Sequence, residues 1–189
     1  MTPFLIHSGI AAPFLLDNID TDQIIPSREM KTVSKTGLAS GLFAGLRYIE
    51  GRKKNPDFVL NQAQFKSATI LLSGKNFGCG SSREHAVWAL KEYGFRAIIA
   101  QSFGEIFYNN CVRNGVLPIQ MKKAAIAALQ AKVTIDLSNQ TVNGISFEIP
   151  QNDKMMLANG LDMIGQTLSH KTDIEAFFQT DQIEKPWKY

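Results

Sequence analysis

The segment Gly74-Lys-Asn-Phe-Gly-Cys-Gly-Ser-Ser-Arg-Glu-His85 concentrates the groups in this chain that are able to do chemistry. Its three glycines let the backbone turn tightly and approach a ligand closely. Paired hydroxyls at Ser81 and Ser82 precede Arg83, whose planar fork matches a carboxylate. A helix beginning here adds unpaired N–H groups and the positive end of its dipole, both favourable to an anion. The blander reading is that Ser81 only caps the helix and Arg83 pairs with an acid. The convergence of glycines, hydroxyls and guanidinium favours a loop that handles anions.

Known phosphate and acyl-transfer loops do not fit. A P-loop needs lysine after its last glycine, and here Lys75 follows the first one. The dinucleotide pattern starts with Gly78 and Gly80 but has Arg83 where its last glycine belongs. The hydrolase elbow fails because Gly80-Ser81-Ser82 leads into Arg83 and Glu84.

The elements that must position this loop are clearest around it. Ala68 to Ser73 is a short, branched apolar run that reads as a buried strand ending at Gly74. Arg83 to Tyr93 has helical spacing, with an S-x-x-E capping box at Ser81 and Glu84 and a stop at Gly94. Arg96 to Ala100 is a second strand. Ser102 to Glu105 is a second capping box, whose helix runs to Asn114-Gly115, and Val116 to Ile119 is a third strand. This βαβαβ pattern implies an α/β fold with a parallel core, in which ligands lie beyond the carboxyl ends of the strands. The 74–82 loop sits at such an end.

Elsewhere, residues 4–16 and 132–149 read as strands, the latter as a hairpin turning near Ser138 to Gln140, and residues 122–131 and 153–180 read as helices jointed at Ser169 to Thr172. Gly37, Gly41, Gly45, Gly51 and Pro56 punctuate residues 31–56, which are expected to form a long surface loop. The expected organisation is a single domain over 1–189, with that loop at 31–56 and a helical C-terminal region at 153–189.

Composition narrows the function. The 189 residues are 44% hydrophobic, and no run approaches the roughly 18 apolar residues of a membrane span. Residues 1–16 lack a basic start, are broken by His7 and Pro13, and lead into Asp17, so they read as strand and not as a signal peptide. The formal charge is only +3, and no basic run is denser than Arg52-Lys53-Lys54, which favours small anions over nucleic acid. Two cysteines make neither a disulfide framework nor the thiolate set of an iron–sulfur cluster, and a reducing cytoplasm is expected. Cys79 reads as a small residue in a tight turn ahead of a nucleophile, and Cys111 reads as core. His7, His85 and His170 lack metal-ligand spacing, so no metal site is expected on this chain.

Three blocks carry a resemblance. Gly78-Cys-Gly-Ser-Ser-Arg-Glu-His85, Asn18-Ile-Asp-Thr-Asp-Gln-Ile-Ile-Pro26 and Ser102-Phe-Gly-Glu-Ile-Phe-Tyr-Asn-Asn-Cys-Val-Arg-Asn-Gly-Val-Leu-Pro118 resemble those of the small-subunit family of 3-isopropylmalate dehydratases. That family is similar to the swivelling fourth domain of aconitase, a β/β/α fold. The resemblance spans about residues 1–170 in order and spacing.

The resemblance implies a heterodimer, in which a large subunit holds a [4Fe–4S] cluster and this chain closes over it. The implied reaction isomerises 2-isopropylmalate to 3-isopropylmalate through 2-isopropylmaleate in leucine biosynthesis. Residue by residue, Ser81 corresponds to the serine whose alkoxide removes the carbon-bound proton, and Ser82 and Arg83 to residues holding a substrate carboxylate. Asp22 corresponds to an aspartate that partners a catalytic histidine of the cluster-bearing part; from local sequence alone an Asx turn before Pro26 serves equally well. Lys35 stands where relatives carry an arginine reaching a substrate carboxylate, and lysine keeps that charge without the fork. Within the 31–56 loop, Leu38, Leu42, Phe43 and Leu46 are expected to receive the isopropyl group. The alternatives are the small subunit of a homoaconitase-type or methylmaleate-type hydratase, and a non-catalytic anion-binding module.

Overall fold

The computed structural model describes residues 1–31 and 34–188. Residues 32 and 33 of the expected 31–56 loop, and residue 189 of the C-terminal region, lie outside the described residues. The strands are β1 (Ile6–Phe14), β2 (Tyr48–Ile49), β3 (Lys53–Lys54), β4 (Ala68–Ser73), β5 (Ala97–Ala100), β6 (Leu117–Gln120), β7 (Lys132–Asp136), β8 (Thr141–Val142) and β9 (Ile145–Ser146). The α-helices are α1 (Thr21–Ile24), α2 (Ala44–Arg47), α3 (Glu84–Tyr93), α4 (Glu105–Asn114), α5 (Lys123–Ala127), α6 (Gln151–Asn159), α7 (Met163–Leu168) and α8 (Lys171–Glu184).

Seven strands form one sheet in the order β6-β5-β4-β1-β7-β8-β9. The βαβαβ unit of the sequence is its parallel half: β4 pairs with β5 and β5 with β6, all parallel, with α3 and α4 as crossovers. β1 extends the parallel part against β4, and β7 turns it antiparallel into a short meander.

The central strands are apolar in both alternating sets because both faces are covered. Leu71, Ile98 and Ala100 join one core with Ala86, Val87 and Leu90 of α3. Ile70, Leu72, Ala97 and Ile99 join the other, with Leu117, Ile119, Val133 and Ile135. Gly94 and Gly115 end α3 and α4 with positive φ of 121° and 76°, as glycine at a helix end allows.

Several expectations are corrected. Neither S-x-x-E pattern forms a capping box. α3 starts at Glu84 with Arg83 at its N-cap and no side-chain cap, and α4 starts at Glu105 behind Gly104. Ser102 instead accepts the Asn76 N–H on its Oγ at 2.8 Å. The capping box that does form is at α1, where Asp20 accepts from the Gln23 N–H and Gln23 Oε1 accepts from the Asp20 N–H. The 122–131 helix is shorter than read. The C-terminal region has an additional joint at Gly160 (φ 65°), after which Asp162 caps α7 by accepting from the Gly165 N–H.

The largest correction concerns residues 31–56. Leu38, Leu42 and Phe43 are fully buried, and the Phe43 ring packs 5.0 Å from Phe14 and 5.8 Å from Phe58. They are core and do not receive a ligand. Of the four apolar residues expected to face an isopropyl group, Leu46 alone stays partly exposed. Leu42→Ala is therefore expected to destabilise the chain by about 3 kcal/mol in urea unfolding. Unchanged stability with an altered KM would indicate a ligand-facing side chain instead.

Candidate active site

The 74–82 loop has little secondary structure of its own, so its backbone groups must find partners elsewhere. Residues 16–21 supply them on one flank. Gly74 N–H donates to Leu16 O at 3.1 Å, Asn18 N–H to Lys75 O at 2.8 Å, Gly78 N–H to Ile19 O at 2.7 Å, and Thr21 N–H to Cys79 O at 3.0 Å. Side chains complete the seam: Asp17 Oδ1 accepts from Lys75 N–H at 2.7 Å, and the Thr21 hydroxyl donates to Ser81 O at 3.2 Å.

The start of the third block holds the other flank. Phe77 N–H donates to Ser102 O at 3.0 Å, and Gly104 N–H donates to Phe77 O at 2.9 Å. Phe77 is fully buried, edge-on to Phe103 and Phe107. The three blocks singled out in the sequence thus meet in one place.

Two glycines are required there for different reasons. Gly78 has φ +74°, and a Cβ on it would lie 2.1 Å from Cγ of Phe107. Gly80 has φ +88° but room for a Cβ, which would meet Asp20 Cβ at an ordinary contact distance of 3.6 Å.

The outcome is a turn that presents Ser81 and Ser82, both exposed, immediately before the uncapped N-terminus of α3. Glu84 would weaken the positive potential at that terminus. Its Oε1, however, accepts from Asn114 Nδ2 at 2.7 Å, while Asn114 Oδ1 accepts from Trp88 Nε1 at 3.0 Å, so the carboxylate is tied to α4. Arg83 donates through Nη1 to Asp22 Oδ1, so its guanidinium and the carboxylate of the second block are paired. The acid-pairing half of the blander sequence reading is therefore observed, whereas the capping half is not. The Arg83 hydrogen bond, supported by the Arg83 charge and by the Ser27 hydroxyl at 3.3 Å, holds the Asp22 carboxyl below the usual carboxylate range. With about half of its side chain exposed, Asp22 remains open to a further partner.

Asp22 also lines a cleft of about 480 Å³ with Ser27, Arg28, Pro26, Gly45 and Leu46. Ser27 and Arg28 carried no signal in the sequence reading, because the short turn after Pro26 that brings them to the cleft is apparent only in three dimensions. A larger cavity of about 930 Å³, lined by Met121, Ile145 and Phe147 among others, includes none of the loop residues. Lys35 is not seen against Ser81 or Arg83. Its ammonium stands 5.2 Å over the Trp88 ring, and that ring lies 4.6 Å from His85.

Cys79 is partly exposed in the turn, and Cys111 is buried, its thiol pushed up by desolvation. Among the described residues no group of three His, Cys, Asp or Glu side chains could hold a metal ion, and these two cysteines do not fit a cluster. No helix among the described residues is long and apolar enough to cross a membrane.

Comparison with known proteins agrees with this architecture. The model of the Aconitase C-terminal domain family matches residues 1–124. A 3-isopropylmalate dehydratase small subunit of Cupriavidus necator is 52% identical over 203 positions, covering 99% of this chain and 98% of its own. One from Rhodospirillum rubrum is 47% identical, with coverage of 99% and 97%. The crystal structure of 3-isopropylmalate dehydratase from Methanocaldococcus jannaschii superposes with a TM-score of 0.69 at 30% identity, covering 91% of this chain and 99% of that one.

The two glycines separate strain from clash. Gly80→Ala is expected to cost about 1 kcal/mol, from left-handed backbone alone, and Gly78→Ala about 3 kcal/mol or more, because overpacking against Phe107 adds to the strain. Chemical denaturation of both variants measures the difference; equal losses would contradict the packing of Phe107 under the turn.

Proposed function

The chain belongs to the small-subunit family of 3-isopropylmalate dehydratases, within the Aconitase C-terminal domain family, and from that premise we propose that its 78–83 turn is one face of a divided active site. The other face belongs to a large subunit, which carries the [4Fe–4S] cluster. The whole chain acts as a single swivel domain that closes over it. Together they isomerise 2-isopropylmalate to 3-isopropylmalate through 2-isopropylmaleate, a step of leucine biosynthesis in the cytoplasm.

Ser81 is the base. Its alkoxide takes the carbon-bound proton as the neighbouring carbon loses hydroxide, leaving the alkene; readdition of water with the opposite regiochemistry returns that proton to the other carbon. A serine hydroxyl is a weak base, so its ionised form needs stabilisation. The α3 terminus supplies the equivalent of about half an elementary charge, with no side chain competing for its N–H groups. The observation that carries the reading is this placement of an exposed serine at an uncapped helix terminus, with an arginine beside it.

Ser82 and Arg83 hold one substrate carboxylate, and Lys35 reaches for the other. Asp22 orients a histidine of the large subunit. In the free chain Asp22 and Arg83 act as each other's counter-ion; in the assembled enzyme a carboxylate takes over the guanidinium and the partner's imidazole takes over Asp22. Leu46 and Pro26 give the cleft beside Asp22 an apolar wall suited to an isopropyl group.

The test is Ser81→Ala in the complex co-purified with its large subunit. Assembly should be unchanged, while turnover of 2-isopropylmalate falls at least about 100-fold, the scale of a lost general base. Turnover at the wild-type rate would remove Ser81 from this role, and equal rates on isopropylmalate, homocitrate and citramalate would remove the substrate assignment.

A further inference from the structure

The carboxylate of Glu92, near the C-terminal end of α3, accepts three backbone N–H groups from a segment over fifty residues earlier. Gly37 donates at 2.6 Å, Leu38 at 2.6 Å and Ala39 at 2.8 Å. Burial opposes the charge, but the three donors outweigh it and hold this carboxyl below its ordinary range. One helical turn back, on the same side of α3, Trp88 carries the Lys35 ammonium over its ring, and Trp88 in turn touches His85. Positions 85, 88 and 92 therefore form one stripe of the helix, which runs from the serine turn to the clamped segment. Along the helix axis, the Arg83 N-cap and Glu92 are about 14 Å apart at 1.5 Å per residue.

We propose that Glu92 is a positioning residue for substrate binding: by gripping the 37–39 backbone it fixes the root of the Lys35 side chain at a set distance from Arg83, so that two cations meet the two carboxylates of one dicarboxylate. The helix is the spacer and the carboxylate is the clasp. Arg47 supports the clasp from the other side, donating through Nη1 to Ala39 O at 2.9 Å. The anchor sits on the helix that starts at the serine turn, and it holds the segment that carries the Lys35 ammonium over Trp88. The inference rests on the reading of Lys35 and Arg83 as carboxylate-binding groups.

The experiment uses the assembled heterodimer and a double-mutant cycle of Glu92→Gln and Lys35→Ala, with Glu92→Asp as the variant that keeps a charged acceptor. Glu92→Gln is expected to raise KM for 2-isopropylmalate about tenfold, the scale of a lost charge-assisted contact, with kcat within about twofold, and Glu92→Asp to recover part of the loss. Because Glu92 acts through Lys35, adding Glu92→Gln to Lys35→Ala should change KM by less than about twofold. An unchanged KM in Glu92→Gln, or the same factor in both backgrounds, overturns the positioning role while leaving Lys35 as a ligand. An unchanged KM in Lys35→Ala overturns the carboxylate role of Lys35, and the positioning role with it. If Glu92→Gln fails to assemble, Glu92→Asp carries the same cycle.

Discussion

The geometry of this chain depends on a backbone seam: residues 16–21, which turn at Asn18 (φ 56°) and enter α1 at Thr21, lie beside the 74–81 loop and pair with its N–H and C=O groups. A glycine-rich turn left to itself samples many conformations, and fixing each residue costs about 1–2 kcal/mol. Here the cost is offset from three directions. The seam supplies hydrogen bonds on one flank and Ser102 to Gly104 supplies them on the other. Beneath lies Phe77, whose burial against Phe103 and Phe107 contributes about 2–3 kcal/mol. The serines can be exposed and still be held, because the atoms on either side of them are committed.

The second constraint is electrostatic. A helix terminus aimed at an anion is useful only if nearby carboxylates are otherwise occupied. Glu84, in the first turn of α3, is turned toward Asn114, and Asp20, beside Cys79 and Gly80, accepts from the Gln23 N–H as the cap of α1. Asp22 is the acid left facing the turn, and it faces Arg83. The pairing is exposed and therefore weak in energy, which suits the exchange of partners proposed for the assembled enzyme.

Much of this architecture is legible in the sequence. β4, β5, α3 and α4 were visible because their signals are local: apolar runs of strand length, helical spacing, and glycine at Gly94 and Gly115 to end each helix. The S-x-x-E patterns mislead because neither serine is the N-cap: Arg83 and Gly104 hold those positions, and the Ser102 hydroxyl accepts from Asn76, a partner far away in the chain. Residues 31–56 looked like a surface loop because glycines and a proline interrupt any periodicity, yet Leu38, Leu42 and Phe43 are placed by short turns into the ring cluster of Phe14 and Phe58. The Asp22–Arg83 pair joins residues 61 apart and Glu92 reaches back 53 to 55; no local pattern announces such contacts. The serine turn itself was conspicuous because its chemistry had to be gathered within a few consecutive residues.

Amide hydrogen exchange on the isolated chain measures the seam most directly. The N–H groups of Gly78 and Thr21 point into it, toward Ile19 O and Cys79 O, so both should be protected to an extent comparable with the amides of β4 and to lose that protection together. Exchange of Gly78 and Thr21 at the rate of a free loop, while β4 stays protected, would contradict the seam and with it the fixed presentation of Ser81.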